Sequence, residues 1–102
     1  MSYFEITMRK GFHMAFENGL SISVQWGAGN YCDNHHGKSA DFTFSTDAKS
    51  KTAEVAVFDA RDEFINPQKF IEDSIITDGE VVGYLTSDQV AQMIYNVSRY
   101  NA

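Results

Sequence analysis

Alternation of apolar and polar side chains dominates the first quarter of the chain. Phe12, Met14 and Phe16 alternate with His13 and Ala15. After Glu17-Asn18-Gly19 the pattern resumes as Leu20, Ile22, Val24 and Trp26, separated by Ser21, Ser23 and Gln25. Period-two patterning on both sides of Asn-Gly predicts a β-hairpin. The expected connection is a two-residue turn at Asn18-Gly19 with positive φ at both positions. Phe12, Met14, Phe16, Leu20, Ile22 and Val24 then share one face, and the serines with Gln25 share the other. The stretch 3–10 also alternates, with Phe4, Ile6 and Met8 together. It predicts a further strand, with Gly11 as a break or bulge.

Farther along the pattern is more broken. Residues 27–39 read as loop, and 41–45 as a short strand with Phe42 and Phe44 on one face. Residues 46–51 form a polar turn, and 52–59 a strand centred on Val55 and Val57. Arg61-Asp62 is a turn across which Glu63, Phe64 and Ile65 can pair back, and Asn66-Pro67 ends the pattern. Phe70, Ile71, Ile75 and Ile76 fit a short helix or an irregular apolar cover. Asp78-Gly79 is a turn before a strand over 80–85. Thr86-Ser87-Asp88-Gln89 has the form of a capping box, and Asp88 suits the positive end of a helix dipole. Val90, Met93, Ile94 and Val97 follow at i, i+3, i+4, i+7 spacing and predict an amphipathic helix over about 87–100. Strands first and one helix last give an α+β fold. The expected architecture is an antiparallel sheet of about four to six strands with the C-terminal helix on its apolar face.

At 102 residues the chain forms one domain over 1–102, without room for two cores. The apolar runs are too short to cross a membrane, so no membrane partner is expected. The N-terminus lacks the basic start and apolar stretch of a secretory signal. A single cysteine suits a reducing compartment, and together these predict a cytoplasmic protein. Fourteen acidic residues against eight basic ones give a net charge of −6. A free nucleic-acid binder normally carries a basic excess, so no direct nucleic-acid binding is expected. An acidic surface serves solubility, and it also attracts a basic partner surface.

The richest chemistry lies in 27–38, directly after Trp26. It holds Gly27, Gly29, Asn30, Tyr31, Cys32, Asp33, Asn34, His35 and His36. A simple connection needs far less than this, and such loops are where binding concentrates. Cys32, Asp33, His35 and His36 are metal-ligand types, yet no second cluster completes a set, so no metal and no cofactor are expected. Cys32 with a histidine offers a nucleophile and base, although a lone cysteine is more often a small buried hydrophobe. The glycines permit close backbone approach, Asn30 and Asn34 offer amides, and Trp26 and Tyr31 offer stacking faces. The candidate binding set is therefore Trp26, Gly27, Gly29, Asn30, Tyr31, Cys32, Asp33, Asn34, His35 and His36, with no catalytic residue assigned. Gly27-Ala28-Gly29 is not a dinucleotide fingerprint, since the third glycine and the following helix are missing. His13 is expected to be exposed on the polar face. Glu17, Asp59, Asp62 and Glu63 read as acidic turn residues, and Lys49 and Lys51 as solvated ones. Tyr95 and Tyr100, off the helical stripe, are candidates for exposed contact residues.

The segment from Gly11-Phe12-His13-Met14-Ala15-Phe16-Glu17-Asn18-Gly19 through Ser23-Val24-Gln25-Trp26-Gly27-Ala28-Gly29-Asn30-Tyr31-Cys32 resembles a recurrent pattern in small tailed-phage accessory proteins. Thr52-Ala53-Glu54-Val55-Ala56-Val57 and Val82-Gly83-Tyr84 before the capped helix are similar to later parts of the same proteins. The resemblance carries over no catalytic residues. It implies a dispensable phage gene product of the kind that includes inhibitors of host defence, such as anti-CRISPR proteins. The leading expectation is thus a non-enzymatic inhibitor that binds a host defence protein complex stoichiometrically. One alternative is a sponge that captures a nucleotide immune signal in a pocket around 27–38. A second is a small hydrolase using Cys32 or the histidines. Homo-oligomerisation is compatible with each.

Overall fold

The sheet is built from β1 (Tyr3–Ile6), β2 (Gly11–Ala15), β3 (Ser21–Gln25), β4 (Thr52–Phe58), β5 (Phe64–Ile65), β6 (Ile76–Thr77) and β7 (Val81–Thr86), and α1 spans Ser87–Arg99. All pairings are antiparallel, in the order β1-β2-β3-β4-β7-β6, with β5 on β4. The computed structural model describes residues 2–6, 11–27, 32–33, 49–71, 76–77 (backbone only) and 80–101. Met8, the expected strand at 41–45, the turns at Thr46 and Asp78-Gly79, and Ile75 lie outside these residues. The architecture is the expected α+β arrangement, an open antiparallel sheet with one C-terminal helix packed against it.

The first hairpin keeps the predicted face but not the predicted turn. Leu20, Ile22 and Val24 are fully buried, and Phe12, Met14 and Phe16 pack against them. The Phe16 amide donates to the Leu20 carbonyl at 2.9 Å, and the Gly19 amide donates to the Phe16 carbonyl at 3.1 Å. The connection is therefore three residues, Glu17-Asn18-Gly19, and only Gly19 has positive φ, at +93°. Parity explains the correction. Both strands carry their apolar residues at even positions, and directly opposed residues must share a face, so the loop must hold an odd number of residues. The β4–β5 connection has the same form. The Asp59 amide donates to the Glu63 carbonyl at 2.9 Å, and the Asp62 amide to the Asp59 carbonyl at 3.0 Å. Asp62 takes the place of Gly19, with φ of +61°.

Asn18 serves the helix as well as the turn. Its Nδ2 donates to the carbonyls of Val97 at 2.8 Å and Tyr100 at 3.0 Å, and its Oδ1 accepts the Leu20 amide at 3.0 Å. Carbonyls at a helix C-terminus have no partner within the helix, so the hairpin tip satisfies the end of α1. The other end is closed as predicted. Thr86 Oγ1 accepts the Gln89 amide at 3.2 Å, and Gln89 Oε1 accepts the Thr86 amide at 2.8 Å. Val90, Met93 and Val97 are buried against β3, β4 and β7.

Val82 and Leu85 both face the core although they are three residues apart. A bulge makes this possible. Ala53 pairs with Leu85 and Val55 with Val82, so β7 holds one extra residue, and Tyr84 within it has φ of +58°. The segment after Pro67 is neither of the expected forms throughout. A 3-10 turn at Pro67–Lys69 places Phe70 in the core, while Ile76–Thr77 pairs with β7 as a strand. Nothing in the local apolar pattern there distinguishes a two-residue strand from a cover, since the pairing partner makes the difference.

The opposite face also departs from expectation. His13 is not an exposed strand histidine, because its side chain is only 18% accessible. Its ring lies 6.0 Å from Tyr3 on one side and 6.0 Å from Phe58 on the other. Strands β2 and β4 are two spacings, about 9.6 Å, apart. The rings therefore converge over β3, which offers only Ser21 and Ser23 there, and Ser21 is buried along with Ile22.

Two stability measurements follow. Asn18→Ala should lower unfolding free energy by about 1–2 kcal/mol, because it removes the side-chain donor to the Val97 and Tyr100 carbonyls and the acceptor of the Leu20 amide. Asp62→Gly should raise it by about 0.5–1 kcal/mol, because it relieves a left-handed backbone at a residue with a Cβ. Urea titrations of both variants check the pair of signs.

Candidate functional site

A cavity of about 300 Å³ opens between α1 and the sheet. Phe12, Val24, Trp26, Ala53 and Leu85 form the sheet side, and Ser87, Val90, Ala91 and Ile94 form the helix side. The cause is local. The helix packs closely on β3, β4 and β7, and Phe12 of β2 lies at the margin of its cover. At the facing positions Ala53, Ser87 and Ala91 are too small to close the gap. Phe12 and Trp26 meet edge-on, with ring centroids 6.2 Å apart and planes at 66°. That geometry leaves ring surface turned toward the cavity.

The rim is polar and held in place by the start of β4. Ser50 Oγ donates to the Thr52 carbonyl at 2.7 Å and accepts the Thr52 amide at 3.3 Å. Thr52 Oγ1 donates to Asp33 Oδ1 at 2.9 Å and accepts the Asp33 amide, also at 2.9 Å. This reciprocal pair ties Asp33 to the strand that lines the cavity. Asp33, Lys49, Ser50 and Lys51 also surround an adjoining open hollow of about 490 Å³. Lys51 lies on both hollows, and its ammonium has no acidic partner among the described residues.

Of the candidate binding set, Trp26, Gly27, Cys32 and Asp33 fall within the described residues. Gly29, Asn30, Tyr31, Asn34, His35 and His36 lie outside them. Only Trp26 of the described four lines the cavity. Gly27 and Cys32 are buried, with Cys32 Sγ 3.7 Å from the Gly27 carbonyl. Cys32 and Asp33 turn to different partners, the first to Gly27 and the second to Thr52. Sequence reasoning missed the contributions of Phe12, Lys51, Ala53, Ser87 and Ala91. Phe12 read as core and Lys51 as a solvated turn residue, and only the crossing of α1 over the sheet brings them together.

The acidic turn residues form a separate surface. Asp59 Oδ1 accepts the amides of Glu63 at 3.0 Å and Arg61 at 2.8 Å, while Asp62 and Glu63 are exposed. These two amides, Glu63 first, hold the Asp59 carboxyl below its ordinary value of 3.8, and the Arg61 charge adds to them. Tyr95 and Tyr100 are exposed as expected. The Arg99 guanidinium lies 5.6 Å from the Tyr95 ring, and Tyr100 packs edge-on to Phe70 at 5.1 Å.

No protein-family model, curated protein or solved structure matches the chain. The functional reading therefore starts from the site's own geometry.

The Asp59 turn yields a pH prediction. A carboxyl whose value is lowered in the folded state stabilises the fold above its unfolded value, and that contribution disappears as pH falls through the lowered one. The loss should begin near 3.8 and continue below it. Asp59→Asn should remove this part of the acid dependence, measured as unfolding free energy against pH.

Proposed function

We propose that this chain is a non-enzymatic binding protein that captures a small ligand stoichiometrically in the cavity between α1 and the sheet. The ligand class is a flat ring bearing one anionic group. The cavity with Phe12 and Trp26 in its wall and Lys51 at its rim carries the reading. Its volume sits at the lower end of the range for small-molecule sites, about 300–1,000 Å³, which suits a base or nucleoside-sized group. Aromatic walls favour a flat ring, and a lysine without an acidic partner among the described residues favours a negative charge. The phage-accessory resemblance supplies the biological setting, in which capture of a nucleotide signal would blunt host defence.

A second reading rests on a different surface. Asp62 and Glu63, beside Asp59, project from the β4–β5 turn of a chain with net charge −6. They suit docking on a basic host protein, as a stoichiometric inhibitor would require.

Trp26 is the single tryptophan, so its fluorescence reports on the cavity directly. Titration with nucleoside monophosphates should change it saturably, and the free bases should bind more weakly. Lys51→Glu and Ala91→Phe should each weaken capture at least about tenfold, or ~1.4 kcal/mol. Cys32→Ser and reversal of Asp59, Asp62 and Glu63 should leave it unchanged. An unresponsive Trp26 would refute capture of this ligand class. Salt-sensitive binding to a host protein, lost on acidic reversal, would favour the second reading.

A further inference from the structure

The face of the sheet turned away from α1 carries a row of four rings. Register places Tyr3 and His13 there from β1 and β2, and Phe58 and Phe64, which oppose each other, from β4 and β5. Consecutive ring centroids are 6.0, 6.0 and 4.7 Å apart, with planes at 52°, 38° and 43°. Beneath the row lie small side chains, Ser21, Ser23 and Ala56. The rings are tilted, so none is hidden flat against the next. At the two ends Tyr3 and Phe64 are each 49% accessible. The helix packs on the other side of the sheet, against Leu20, Ile22 and Val24.

Charge on this face has one sign. Its described strand residues include two carboxylates, Glu5 and Glu54, and no lysine or arginine. Pairing with His13 and Gln25 fixes both on this side. Glu5 Oε1 lies 3.8 Å from His13 Nδ1, at one end of the row. At the other end Asp59 follows Phe58 and Glu63 precedes Phe64. The Asp59 carboxylate is engaged by the Arg61 and Glu63 amides, which leaves Asp62 and Glu63 as the exposed carboxylates of the turn. Each end of the row therefore joins an accessible ring to an acidic group.

We propose, building on the docking of the acidic turn described above, that this face binds arginine side chains of a basic protein. Guanidinium groups stack on Tyr3 and Phe64 and pair with Glu5 and Glu63. A guanidinium is flat and weakly hydrated, so it lies over a ring while donating to a carboxylate beside it. The ammonium of lysine is a compact, strongly hydrated charge and gains less from the ring. An apolar partner would bury Glu5 and Glu63 without a counter-charge, and a second copy of this acidic chain would oppose like charges.

Titration of the nitrogen-15-labelled chain with hexa-arginine and with hexa-lysine, at one ionic strength, separates ring recognition from charge. Hexa-arginine should shift the amides of Tyr3, His13, Phe58 and Phe64. It should bind about two- to fivefold tighter than hexa-lysine, the ratio that one exposed cation–π contact supplies. Tyr3→Leu combined with Phe64→Leu keeps apolar bulk at two exposed positions and should abolish that preference, with the dispersion of the spectrum retained. Glu5→Gln combined with Glu63→Gln should weaken both peptides and keep the preference. Equal affinity for the two peptides, or a preference that survives the leucine pair, would overturn arginine recognition and leave docking of the acidic turn in place. Binding of neither peptide would overturn both. Shifts centred on Trp26 and Ala91 would overturn the assignment to this face.

Discussion

A single helix is narrower than the sheet it must cover, and most of this molecule follows from that mismatch. A helix with its side chains is about 10–12 Å across, and neighbouring strands lie about 4.8 Å apart. One helix therefore covers two or three strands. Here α1 covers β3, β4 and β7, whose inward side chains are fully buried. The apolar face continues across β2 to β1, beyond the strands on which α1 packs. Phe12 and Met14 are half-buried at the margin, and Phe4 and Ile6 are open to solvent. The cavity and the apolar edge are two consequences of one geometric shortfall. The cavity lies where small residues of α1 pass over the margin, and the edge lies where the helix no longer reaches.

The position of α1 is fixed at both ends by side-chain hydrogen bonds, which is why the gap beneath it has a definite shape. Thr86 is at once the last residue of β7 and the N-cap, so the helix begins without a linker. Its far end is held by Asn18 from the hairpin tip, seventy-nine residues from Val97. Asn96 Nδ2 donates to the Phe70 carbonyl at 2.7 Å and ties the 3-10 turn to the same end. A displacement of α1 that closed the cavity would break contacts to Asn18 or Phe70.

The chemically rich loop and the cavity overlap at Trp26, and the Asp33–Thr52 pair joins the loop's described residues to the cavity rim. Cys32 packs inward as a small hydrophobe, in keeping with its isolation in the sequence. Candidate chemistry thus divides by side-chain type. Rings and a lysine gather at the cavity, carboxylates gather at the β4–β5 turn, and the buried thiol joins neither group.

What the sequence alone determined is whatever depends on local periodicity and capping. The inward face of the first hairpin, β4 around Val55 and Val57, the return of Phe64-Ile65, and α1 with its capping box are all legible, because alternation and i, i+4 spacing report directly on a buried face. Even the odd loop length was present in the parity of Phe16 and Leu20, although the Asn-Gly dipeptide drew attention to a two-residue turn. Other features needed the tertiary structure, because they join residues distant in the chain. Asn18 reads as a turn residue until α1 arrives above it. Ile76 becomes a strand residue only when β7 offers an edge. His13 is sheltered only because Phe58, two strands away, leans over serines. The cavity exists only where Ala53, Ser87 and Ala91 happen to face each other, and no linear pattern encodes the width of a helix against the width of a sheet.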